Sequence, residues 1–128
     1  MTSQMDKYSF FKIEKENDVI CVEFSKDLKI DGDTAEKLVS DRINFAKGIQ
    51  YYYVIDLSNI RQITPEAKYF MQNSEKALSN ILGVAFVAQN PVSVLLANIF
   101  VKTEKNFPSK FFNKMTEAID WIVELKKN

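Results

Sequence analysis

The sequence predicts one α/β domain: a mostly parallel central sheet with one antiparallel strand and helices packed on it. Three observations carry this. Short β-prone runs alternate with segments of helical period, which argues parallel strands joined by crossover helices. Of three glycines and three prolines, all but Gly83 fall where an element should start or stop. Finally, 128 residues, 46% hydrophobic and 27% charged, suit a single folded core. One domain over 1–128 is expected, with residues 1–6 as a flexible tail.

Residues 8–15 and 19–24 read as strands, and Glu16-Asn17-Asp18 between them as a hairpin turn. A helix over 33–47 follows from the spacing of Ala35, Leu38, Val39, Ile43 and Ala46. Asp33 with Glu36 gives it a capping-box-like start and Gly48 a stop. Residues 51–57, apolar on both faces, read as a central strand covered on both sides. Alternation places Tyr51 and Tyr53 on one face and Tyr52 on the other. Ser58 to Ile63 reads as a loop. Thr64 then caps a second helix, with Pro65 at its first position, Glu66 as an early acid, and Ala67, Phe70, Met71 and Leu78 as its buried stripe.

Residues 81–88 read as a buried strand in which Gly83 marks the close approach of a helix. Asn90-Pro91 opens a third helix over 91–104, and Pro108 closes the loop after it. A short strand at 109–112 leads to a last helix over 114–126, capped by Asn113. Met115, Ala118, Ile119, Ile122 and Leu125 form its apolar stripe.

Composition removes most chemistries. There is no histidine and one cysteine, which excludes Ser/His/Asp and Cys/His triads and zinc sites built on those residues. No glycine-rich phosphate loop is present, so no cofactor is expected. Lys+Arg and Asp+Glu balance at 17 each, which argues against nucleic acid or an anionic membrane as partner. The N-terminus lacks the charge and apolar pattern of a signal peptide, and the apolar run around 92–101 is too short to span a bilayer. A cytoplasmic protein with Cys21 as a small buried hydrophobe is the expectation. Asp27, Asp31 and Asp33 fail the calcium-loop spacing, since Leu38 and Arg42 stand where the twelfth-position Glu is required. Asp56, near the end of the central strand, and Glu66 remain, each accounted for by a local role in the loop or helix start.

The third helix is unusual in being apolar nearly all round. Either the C-terminal segment buries it, or its second face meets a partner, another copy or a lipid-like ligand.

The element order, with VIDLSNIRQITPEA at 54–67, resembles the STAS domain, the SpoIIAA-like fold of bacterial anti-sigma-factor antagonists. The later stretch is similar to a SpoIIAA-like subgroup related in fold to the CRAL-TRIO lipid carriers, through Asn90-Pro91-Val92-Ser93, Phe107-Pro108 and Ala118-Ile119-Asp120-Trp121. The resemblance implies a non-catalytic regulatory or interaction domain. In the antagonists a Ser at the start of the second helix is phosphorylated; here Thr64-Pro65-Glu66-Ala67 replaces that pattern, with Glu66 at or next to the phosphorylated position.

Three readings follow, the last and least favoured being an enzyme that uses Asp56 or Glu66. In the first the partner is another protein or a second copy, bound through Ser58, Asn59, Arg61, Thr64 and Glu66, with Val92, Leu96, Ile99, Phe100 and Phe107 as a dimer surface. In the second the same apolar set lines a pocket for an apolar small molecule or lipid.

Overall fold

The computed structural model describes residues 3–104 and 106–127. Six strands form the central sheet: β1 (Ser3–Met5), β2 (Ser9–Glu14), β3 (Val19–Phe24), β5 (Tyr51–Asp56), β7 (Ile81–Val87) and β8 (Ser109–Phe112), side by side in that order. β2 runs antiparallel to both its neighbours, and every other pairing is parallel, so β2 alone opposes the rest. The hairpin between β2 and β3 closes with Asp18 in the left-handed region (φ 56°). Where a tail is expected over residues 1–6, Ser3–Met5 instead pairs with β2 as an edge strand.

Among the described residues five helices pack on the sheet: α1 (Gly32–Ala46), α2 (Pro65–Asn73), α3 (Glu75–Leu78), α4 (Pro91–Thr103) and α5 (Met115–Lys126). Strand alternation divides the core in two. On one face Phe11, Ile20, Val22, Tyr53, Val84 and Phe86 meet α1, α2 and α4, with Phe11 stacked on Phe45 at 5.3 Å between ring centroids. On the other, Val19, Val54, Ala85 and Val87 meet Ala118 and Ile122 of α5. At Gly83 α5 comes close: a Cβ there would lie 3.0 Å from the Tyr52 ring and 3.2 Å from Leu125.

Two short segments pair outside the main sheet. β4 (Leu28–Ile30) lies parallel to β6 (Ile60–Ile63), so part of the expected loop 58–63 is a strand. Three helix starts follow local chemistry. Thr64 Oγ1 accepts from the Ala67 amide. Asn90 and Ser93 cap α4 reciprocally. Asp31, rather than Asp33, caps α1 through the Thr34 amide, and it does so because it is the residue with extended backbone (φ −100°, ψ −175°). The last helix lacks the cap expected of Asn113: Lys114 holds the cap position and makes no side-chain cap bond.

Candidate functional site

A cavity of about 120 Å³ lies between the sheet and α1, α2 and α4. Its walls are almost wholly apolar. Val22, Ile55, Val84 and Phe86 come from the strands, Leu38 and Val39 from α1, Met71 from α2, and Phe100 from α4. Phe100 is held against Phe86, with centroids 5.7 Å apart and planes at 25°. α2 stops after nine residues because Ser74 takes extended backbone and caps α3 instead. Short α3 then sets only Ala77 and Leu78 against the cavity. The polar lining residues Gln72, Thr103 and Glu104 cluster at the C-terminal ends of α2 and α4. Gln72 Nε2 donates to Thr103 Oγ1 at 2.9 Å and ties the two helices there.

One charged wall residue is buried. Arg42 is only 7% exposed. Its Nη1 donates to Tyr53 Oη at 3.1 Å, and its Nη2 donates to the carbonyls of Ala77 at 3.2 Å and Ser79 at 3.1 Å. The guanidinium also lies 5.2 Å from the Tyr53 ring centroid. Burial pushes the Tyr53 phenol above its ordinary value of 10.0, opposed in part by the Arg42 charge and hydrogen bond. Sequence reasoning missed Arg42, yet a signal exists. It sits four residues after Leu38 and four before Ala46, in phase with the apolar stripe of α1. The neighbouring Asp41 is buried too, bridged to Lys37 at 2.7 Å, whereas Ile43, read as part of that stripe, is half-buried.

The structure separates the residues singled out around the 58–66 loop. Asp56 Oδ1 accepts from the Ser58 amide, the Ser58 carbonyl accepts from Asn90 Nδ2, and the Ser58 hydroxyl is buried without a partner. Asn59 Nδ2 donates to the Phe24 carbonyl. These groups hold the loop. Arg61 and Glu66 are at the surface, and Glu66 rests its carboxylate over Gly32, where a Cβ would meet Oε1 at 2.3 Å. On α4 the apolar set also divides. Leu96 is core, Ile99 is half-buried, Phe100 and Phe107 line the cavity, and Val92 with its neighbour Leu95 is exposed at 44% and 62%. Cys21 is partly buried, and desolvation, reinforced by Glu14, raises its thiol pKa.

Among the described residues no group of three or more Cys, Asp or Glu stands close enough to hold a metal ion, and no helix is long and apolar enough to cross a membrane.

Comparison of folds finds a crystal structure of an uncharacterized protein from the DUF3478 family with a SpoIIAA-like fold, from Shewanella loihica PV-4. The TM-score is 0.61 at 14% identity, covering 94% of this chain and 90% of that one. The α/β domain is therefore SpoIIAA-like in fold, and at this identity the likeness speaks for fold alone. Comparison with curated proteins gives no match. Residues 11–126 match the domain-of-unknown-function family DUF7793, and the chain belongs to that family.

Proposed function

We propose that this chain is a non-catalytic binding domain that takes the apolar body of a small molecule into the cavity between its sheet and α1, α2 and α4. The cavity itself carries the reading. Its lining is apolar surface that the fold leaves uncovered, and covering such surface with a ligand gains about 25 cal/mol per Å². An apolar cavity near this size has room for a single ring. Half-buried Phe107 adds an aromatic surface to the lining.

The test is an NMR titration with benzene, read at the methyl groups of Leu38, Ile55 and Val84, together with the urea midpoint. Saturating benzene shifts those methyls and raises the midpoint. Unchanged spectra and midpoint overturn the reading.

A second reading, a protein-binding surface, is favoured by the exposed Val92 and Leu95 on α4 and by the surface positions of Arg61 and Glu66. Sedimentation velocity of wild type against Leu95→Glu checks its homodimer form. A dimer abolished by the substitution supports it; a monomer at high micromolar concentration removes it.

A further inference from the structure

We infer that the molecule taken up is an anion, a monocarboxylate on a single aromatic ring or short alkyl chain, recognised by Arg42. This inference rests on the cavity reading above and adds the ligand's charge to it.

The argument begins with an imbalance of charge. A buried guanidinium is expensive to desolvate and is ordinarily paired with a carboxylate. Among the described residues Arg42 forms no ion pair, although it lines the cavity. Its sequence neighbour Asp41 is engaged by Lys37. The three acceptors it does have, a phenol and two carbonyls, are neutral dipoles and occupy three of its five N–H donors. These bonds fix the side chain in place without neutralising it. A carboxylate entering the cavity would supply the missing charge in an apolar setting, where charge-assisted hydrogen bonds are strongest.

Size and the second charge narrow the class further. About 120 Å³ admits one ring or a chain of a few carbons, not a whole fatty acid. Glu104 also lines the cavity, but at the end of α4, half-exposed and accepting from the Asn106 amide. Its repulsion of an anion is therefore screened by solvent.

The experiment compares acids with their neutral isosteres on the wild-type protein: benzoate against benzamide, and hexanoate against hexanamide, by calorimetry with NMR mapping. The acids are expected to bind about ten-fold or more tighter than the amides, shifting signals of Ile55, Phe100 and the Arg42 side chain. Arg42→Met should erase that preference. If the variant does not fold, the wild-type comparison decides alone. Equal affinity of acid and amide overturns the inference while leaving the cavity reading intact. Acid binding that shifts only residues outside the cavity also overturns it. If neither the four ligands nor benzene binds, the cavity reading itself has failed.

Discussion

Arg42 and Tyr53 form a buried pair whose energetic coupling can be worked from the structure. In Arg42→Met, Tyr53 Oη loses the donor at 3.1 Å and the Ala77 carbonyl loses the donor at 3.2 Å, both in the interior. The Ser79 carbonyl is nearer solvent and can turn to water. Orphaning a buried polar group costs about 1–3 kcal/mol. Two such groups, less the relief of no longer burying a guanidinium, give a loss of about 2–4 kcal/mol. Tyr53→Phe removes one of three acceptors from a charged donor and should cost about 1.5–2 kcal/mol. In the double variant the phenol is no longer there to be orphaned. The combined loss should therefore fall short of the sum by about 1–2 kcal/mol. Urea denaturation of all four proteins, followed by tryptophan fluorescence and circular dichroism together, measures the cycle. Additivity within about 0.5 kcal/mol would refute the reasoning, because the two groups would then not depend on each other.

Other consequences are local. Gly83→Ala drives a methyl to 3.0 Å from the Tyr52 ring and 3.2 Å from Leu125, and should lower stability by about 1–3 kcal/mol by overpacking; Leu125→Ala in the same chain should return part of that loss. Gly32→Ala meets only the far end of the exposed Glu66 side chain, at 2.3 Å from Oε1; the carboxylate swings aside, and the change in stability should stay within about 0.5 kcal/mol. The Thr34 amide bond holds the Asp31 carboxyl below its ordinary value of 3.8. Its contribution is thus present above that value and lost as pH falls through the folded one, so the gap in urea midpoint between wild type and Asp31→Asn should close on acidification. At the other end of the scale Tyr53 is raised above 10.0, chiefly by burial. Its contribution is present below that value and lost as pH rises through the folded one, and Tyr53→Phe should flatten the alkaline decline in stability.

What could be read directly from the residues was what neighbouring residues decide. Alternation along Tyr51-Tyr52-Tyr53 assigns each ring to its face because strand period is a local property, and Tyr53 and Tyr52 do lie in opposite cores. Thr64 and Asn90 announce their helices because a cap needs only the next three residues. Gly83 announced the approach of α5 because an apolar strand spends a glycine only where a side chain will not fit. Near-ties went the other way. Asp31 and Asp33 carry the same carboxyl group, and only the path of the chain out of β4 decides which has the extended backbone a cap requires.

Tertiary structure decided the rest, for reasons of distance and volume. The β4–β6 ladder joins segments of three and four residues from 28–30 and 60–63, too short to carry a period and paired only once the main sheet has brought them together. The cavity is a shortfall of volume shared among strands and four helices, and no single segment encodes a sum over its neighbours. Arg42 combines both. Its phase on α1 was legible in the spacing of Leu38 and Ala46. That it would find a phenol and two carbonyls but no carboxylate depended on Tyr53, Ala77 and Ser79, which reach it from 11, 35 and 37 residues away.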